Sequence, residues 1–271
     1  MVTLLHGIAL LLYGVAAWLL FGSLARGAAA PPRAGLRVAT VAFGVHTIAV
    51  VRYVATFGEL PLVGLAPSLS ALGWLIGAFL LGIVLFRDAS PLGLVLAPLV
   101  AVLLCAAILL GIHPAGEPIA FRGVWFSLHV VAAFVGYAGL TAAFAAGLLY
   151  LLQFRELKDK RFGRVFAYFP SLDTLDRVGH RALLIGYPAL TLALVAGWAW
   201  TVRFRNSFGG SDPQVIWGVL TWLVFGAALL ARATGAERER RAAVVTVVGF
   251  AIVIAAYLVL RLAVVEGRGF L

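Results

Sequence analysis

The chain has 271 residues, 63% of them hydrophobic and 12% charged. That composition excludes a soluble globular domain and identifies an integral membrane protein. The formal net charge is +10, but the basic residues fall in short segments between apolar runs, where membrane orientation accounts for them and no nucleic-acid function is read from them.

A helix needs about 20 apolar residues to cross a hydrocarbon core of ~30 Å. Runs of that length lie near 2–24, 36–56, 67–86, 92–112, 122–153, 180–202, 214–232 and 242–264. They predict an all-α fold, a polytopic bundle of eight transmembrane helices forming a single membrane domain over 1–271. The first run lacks a basic start and is long enough to span, so it is read as a helix and not as a signal peptide. Assigning Lys and Arg to alternating sides places 15 on one side and 6 on the other, the six being Arg52, Arg122, Arg203, Arg205, Arg261 and Arg268. The positive-inside bias then puts both termini on the extracytoplasmic side. Cys105 is the one cysteine, which excludes a disulfide within the chain and any paired-cysteine motif.

Five histidines are sorted by their depth in these spans. His6, His113 and His129 lie near the outer ends of spans 1, 4 and 5, His46 near the middle of span 2, and His180 at the inner end of span 6. An ionisable group at mid-membrane is expected to face the bundle interior and to have a partner, which makes His46 a functional candidate. The other reading is a neutral ring bonded to a neighbouring carbonyl. His6 is near the N-terminus and His113 precedes Pro114 at a helix end, so each also reads as an ordinary interfacial residue. Arg52 follows His46 by a turn and a half, with Glu59 in the loop beyond.

In span 5, Trp125, His129, Ala132 or Ala133, Gly136 and Leu140 share one helical face. An aromatic and an imidazole thus stand over a strip of small residues. Such a strip either leaves room for a planar cofactor or lets another helix pack closely, and spacing alone favours close packing. Between spans 5 and 6, basic residues mixed with Phe162, Phe166, Tyr168 and Phe169 predict an interfacial helix stopped by Pro170, with Ser171 or Asp173 capping the next. Pro188 predicts a kink in span 6. His180 beside Arg181 reads as a flank.

Beyond Trp198 and Trp200, Arg203 and Arg205 run against the orientation bias, and Asp212 followed by Pro213 signals a helix start. The free N–H groups of that start, with the two arginines, would suit carboxylates or phosphates, or the arginines contact lipid headgroups. Trp217 and Trp222 follow on the helix. There is no Ser/His/Asp order with context, no HExxH, no Walker-type loop and no facing carboxylate pair, so turnover chemistry is not expected. A transporter stays open, since kinked spans and a buried His are compatible with one.

The stretches LDTLDRVGHRALLIGYPALTLALVAGWAW (172–200) and SDPQVIWGVLTWLVF (211–225) resemble the heme-handling cytochrome c assembly proteins of the CcsA/CcmC type, in particular their smaller eight-helix relatives. LHVVAAFVGYA (128–138) is similar to that family's extracytoplasmic heme-ligand segment, and VAFGVHTIAVVRYV (41–54) to its early membrane histidine. The resemblance implies that His129 is an axial heme ligand and His46 a second, membrane-level ligand or relay, with His113 a weaker candidate. It makes Trp217 and Trp222 the retained tryptophans of that family's tryptophan-rich motif, and Asp212 and Pro213 match its D-P; Trp125, Arg203 and Arg205 are cofactor-binding candidates from their own residue context. The chain departs from the motif at NSFGGS (206–211), where the family has its central tryptophans, and VVEGRGFL (264–271) carries Arg268 where the family has a second histidine. His129 would then act alone, pair with His113 or His6, or use a partner's ligand. What is implied is a protein of cytochrome c biogenesis in the bacterial cytoplasmic (inner) membrane that presents or passes heme at its extracytoplasmic face. Its partners would be heme, lipid, and another assembly subunit or apocytochrome c. A member that kept the fold as a scaffold or regulatory subunit without heme is the alternative.

Overall fold

The computed structural model describes residues 1–86, 89–114, 124–160, 163–205, 213–233 and 237–265. Its helices are α1 (Val2–Ala25), α2 (Arg33–Phe57), α3 (Leu65–Phe86), α4 (Gly93–Leu110), α5 (Val124–Lys158), α6 (Arg164–Tyr168), α7 (Leu172–Arg205), α8 (Pro213–Ala233) and α9 (Arg238–Val265). Eight of them, all but α6, are long and apolar enough to cross a membrane, in the order expected. The protein is an integral membrane protein with an all-helical fold.

Two boundaries move. Helix α7 begins eight residues before the apolar run that predicts it, because Ser171 caps it: the Thr174 N–H donates to Ser171 Oγ at 3.3 Å. Helix α5 continues to Lys158 for the same kind of reason, its polar last turns being helical without being apolar. Pro98 and Pro188 lie inside α4 and α7, and both helices run on across them. Pro213 starts α8 as its sequence context predicts. Asp212 and the NSFGGS segment lie outside the described residues.

The described residues form two compact units, Met1–Gly116 with Leu149–Val178, and Glu117–Leu148 with Gly179–Leu271. In the first, α1 packs on α2 and α4, and α3 packs on α2 and α4, so the four helices close into a ring. Tyr13, Leu20, Tyr53, Ile76, Leu80, Leu96 and Leu104 fill its interior, all nearly inaccessible. Gly58 ends α2 in the left-handed region at φ 72°, with its N–H on the Val54 carbonyl at 2.8 Å, a conformation that favours glycine. The short α6 closes the C-terminal end of α1. Tyr168 donates to the Leu20 carbonyl at 3.2 Å and lies 2.9 Å from Ser23 Oγ, while Arg164 reaches the Ala25 carbonyl. Ala25 is one of the last carbonyls of α1, which a helix end leaves without an intrahelical partner, and Arg164 supplies one.

In the second unit, α5 and α7 cross where both carry glycine. A Cβ on Gly139 would lie 2.9 Å from Gly186 Cα, and one on Gly186 would lie 3.0 Å from the Gly136 carbonyl. Small residues let the backbones approach, which is how helices associate in lipid without a hydrophobic driving force between them. Helix α9 joins α5 through Phe144 and Phe250, stacked at 4.3 Å.

Candidate functional site

Two groups of histidine contacts stand out, one in each unit. In the first, α2 buries His46 completely, at 0% exposure, and α1 presents His6 beside it at 1%. The rings are 5.7 Å apart and nearly perpendicular. Between them Ser70 of α3 places its Oγ 2.8 Å from His6 Nε2 and 3.3 Å from His46 Nε2. His6 Nδ1 lies 2.9 Å from the Val2 carbonyl.

The hydrogens follow for neutral rings. A carbonyl only accepts, so His6 Nδ1 carries the proton and His6 Nε2 accepts from the Ser70 hydroxyl. That hydroxyl has one hydrogen, so His46 must donate to it through Nε2. His46 Nδ1 is thereby left as a buried lone pair, and it has no hydrogen-bond partner. Tyr13 Oη, whose ring packs edge-on to His46 at 6.1 Å, is buried without a partner too.

The expected interior position of His46 holds, and its partners are His6 and Ser70 rather than a carbonyl. His6 is not the interfacial residue its place near the N-terminus suggests. Its neighbours could have shown this: His6, Ala9 and Tyr13, spaced by three and four, form one buried face of α1. Both His6 nitrogens are engaged, which leaves this ring no donor for a metal. His46 Nε2 is likewise engaged, and its Nδ1 is walled in by the Tyr13 ring and α3.

In the second unit, His129 of α5 is half-buried, and its Nδ1 donates to the Ala193 carbonyl of α7 at 2.7 Å. The bond fixes the tautomer, with the proton on Nδ1 and the lone pair on Nε2. Among the described residues Nε2 meets no partner. Gly197 makes the approach possible, since a Cβ there would lie 2.6 Å from His129 Nδ1. Trp125, one turn before His129, is 48% exposed, and Trp198 beside Gly197 is exposed as well. Trp200 packs on Phe126 at 5.6 Å.

The small strip beyond His129 is used for helix packing. A Cβ on Gly136 would meet the Leu190 backbone nitrogen at 3.2 Å and the Gly186 carbonyl at 3.3 Å, so α7 fills the space beside it. Of the two readings of the strip, close packing is the one the geometry adopts.

Trp217 stacks on Tyr137 at 5.1 Å, touches Tyr257 at 5.3 Å and donates its N–H to the Val253 carbonyl at 3.0 Å. Trp222 stacks on Tyr187 at 5.4 Å and donates to Thr191 Oγ1 at 2.9 Å. The two indoles thus tie α8 to α5, α7 and α9. His113 is exposed after α4, in the other unit from His129. Arg203 is exposed near the end of α7; the side chain of Arg205 and all of Asp212 lie outside the described residues. Among the described residues no three His, Cys, Asp or Glu side chains converge to hold a metal ion by themselves. The site chemistry available is therefore one oriented imidazole with a free nitrogen in an aromatic setting, and one closed polar cluster.

The family model of the cytochrome C assembly protein matches residues 38–265. A cytochrome c biogenesis protein CcsA from Guillardia theta is 30% identical over 154 residues, covering 51% of this chain and 51% of that protein. CcsA from Chlamydomonas reinhardtii is 30% identical over 139 residues, covering 51% and 38%. CcsA from Synechococcus elongatus is 42% identical over 86 residues, covering 32% and 26%. The matches thus span about half the length of these relatives or less.

Proposed function

Because the chain belongs to the cytochrome c assembly protein family, we propose that this membrane protein of cytochrome c biogenesis binds heme, or passes it on, through His129. The observation that carries the reading is the hydrogen bond from His129 Nδ1 to Ala193. Metal-ligating histidines donate their second ring N–H to a carbonyl or carboxylate, which sets the tautomer and raises the basicity of the ligating nitrogen. His129 is held in that state before any ligand arrives. Half-burial leaves the ring reachable. Trp125, exposed on the same face, offers a π surface for a flat apolar ligand.

Heme bound there would supply an iron whose redox behaviour depends on its axial ligands. The chain's own contribution is to orient one imidazole and to hold its tautomer. Arg203, with Arg205 and the start of α8 at Pro213, would receive the propionate carboxylates. A partner protein is one source of a second imidazole. Of the two roles the resemblance implies for His46, we favour the relay over the ligand, because its one unpartnered nitrogen is buried.

We place the protein in a bacterial cytoplasmic membrane with both termini and the His129 end of α5 outside, on the distribution of Lys and Arg. A heme absorbance spectrum of protein purified from heme-replete cells tests the reading. His129→Ala is expected to abolish or alter the spectrum more than His113→Ala does. Protein that carries no heme and takes up none when it is added would overturn heme binding. A stoichiometric partner co-purifying with such heme-free protein would favour a scaffold instead.

A further inference from the structure

Helices α7 and α8 lie side by side in an antiparallel register that their contacts fix. A Cβ on Gly218 would lie 3.2 Å from the Leu194 side chain, Trp222 donates to Thr191 at 2.9 Å, and a Cβ on Gly226 would lie 2.9 Å from the Tyr187 phenol oxygen. Each step along α8 is matched by a nearly equal step back along α7. Carried on by two turns, this register brings His180 level with Ala233, where α8 ends, and α9 starts five residues later at Arg238. There the three helices surround a cavity of about 330 Å³, lined by His180, Leu229, Arg232, Ala233 and Arg238. Small-molecule pockets begin at about that size.

The walls divide by chemistry. Leu229 and Ala233, four residues apart on α8, form the apolar part. His180, Arg232 and Arg238 come from three different helices and bring only N–H donors and positive charge that an anion can use. His180 and Arg232 are half-buried, whereas the Arg238 side chain is 63% exposed, so the cavity opens on the Arg238 side. Glu239 is the acidic neighbour. It accepts from Arg238 Nε at 3.1 Å and lies in the field of Arg232, while Glu237 is bonded to Arg240 instead. One carboxylate thus stands against two guanidinium groups.

Orientation bias explains why arginines gather at this end of the spans. It does not explain why two of them, with a histidine, line one cavity instead of diverging into water. Like charges held around a cavity repel, and an anion between them removes the repulsion. The surroundings say which anion. The cavity lies at the ends of three helices long and apolar enough to cross a membrane. The exposed apolar residues Ile216, Val219, Leu223 and Leu230 form a stripe along α8 that runs up to Ala233 at its rim. We propose that this cavity binds the phosphate diester of an anionic phospholipid, whose acyl chains lie along the α8 stripe. The planar fork of arginine matches phosphate oxygens, and basic pockets between transmembrane helices hold anionic headgroups in this way. The site is separate from the one at His129: His180 is thirteen residues from Ala193 on α7, about 20 Å along the helix.

Native mass spectrometry of the full-length protein in a neutral detergent tests this. The probes are phosphatidylglycerol, phosphatidylcholine with the same acyl chains, and inorganic phosphate. The wild type should retain one phosphatidylglycerol in preference to phosphatidylcholine, and excess inorganic phosphate should not displace it. Arg232→Gln and Arg238→Gln should each weaken retention about fivefold. Arg181→Gln and Arg241→Gln, which remove exposed charges outside the cavity lining, should leave it unchanged. Equal retention of the two lipids by the wild type would overturn the site even if no variant folds. Displacement by inorganic phosphate would make it a site for a soluble anion and overturn the lipid. Equal losses in all four variants would show a diffuse charged surface and overturn the cavity as the site. None of these outcomes depends on whether the protein binds heme.

Discussion

A methyl group on Gly197 would stand 2.6 Å from Nδ1 of His129 and 2.9 Å from its Cε1, so the bare backbone of α7 at this point is what admits the imidazole. Four residues earlier on the same helix, Ala193 supplies the carbonyl that the ring donates to. One turn of α7 thus provides both the space and the orienting acceptor. The arrangement is a property of two helices and of neither alone.

Gly197→Ala should therefore displace the ring and break its bond to Ala193. Loss of an orienting partner typically weakens metal binding by about 10- to 100-fold, and heme affinity should fall at least about 10-fold in an absorbance titration. His129→Ala should lose more. Unchanged affinity in Gly197→Ala would mean that the ring's orientation is irrelevant to any ligand it holds.

Gly139→Val should strike the backbone of α7, since even a Cβ would lie 2.9 Å from Gly186 Cα and 3.0 Å from the Ala182 carbonyl. Overpacking of this kind costs about 1–3 kcal/mol, and backbone neighbours cannot rotate away. Thermal unfolding in detergent should show a clear drop in Tm. Gly7→Ala is the control: nothing lies within 4 Å of a Cβ there, and the better helix propensity should leave stability unchanged or raise it by up to about 1 kcal/mol.

Trp217→Phe and Trp222→Phe separate support from ligand contact. Each removes an indole N–H that now bonds inside the unit, and a typical hydrogen bond is worth about 1 kcal/mol net. The expected outcome is lower thermal stability with heme affinity within about threefold of wild type. A large loss of affinity at constant stability would place these rings against the ligand.

Tyr168→Phe removes the phenol that joins α6 to the end of α1 at Ser23 and Leu20. Burial pushes the Tyr168 phenol above its ordinary value, with the Ser23 contact opposing. The sign follows: this contribution is fully present below the ordinary tyrosine pKa of about 10 and is lost as the pH rises further. Limited proteolysis between α5 and α7 should accelerate in Tyr168→Phe at neutral pH. In the wild type it should accelerate only at strongly alkaline pH.

Much of the architecture is legible along the chain. Each span is a continuous apolar run of sufficient length, and the Ser171 cap and the Pro213 start are local signals that need no tertiary information. The end of α5 and the start of α7 are harder to read, because the last turns of the one and the first turns of the other are helical but polar and hydropathy reports only the apolar part. Among site residues, His46 stood out by depth. His6 is less legible, because nearness to a terminus suggests exposure, although its buried face with Ala9 and Tyr13 carries a helical period.

Composition, the spacing of apolar runs and the motif segments by themselves determined an eight-span helical membrane protein of the cytochrome c assembly family. Those are local quantities, set by the rise of a helix against the thickness of a bilayer and by short strings of residues. Only the tertiary structure decided that His6 and His46 share Ser70, that Gly136 serves helix packing, and that His129 is oriented by Ala193 over Gly197. The physical reason is that each depends on which faces of different helices meet, and at what separation. In lipid, where apolar faces are nearly equivalent, the meeting is settled by small residues and by a few hydrogen bonds between residues far apart in the chain.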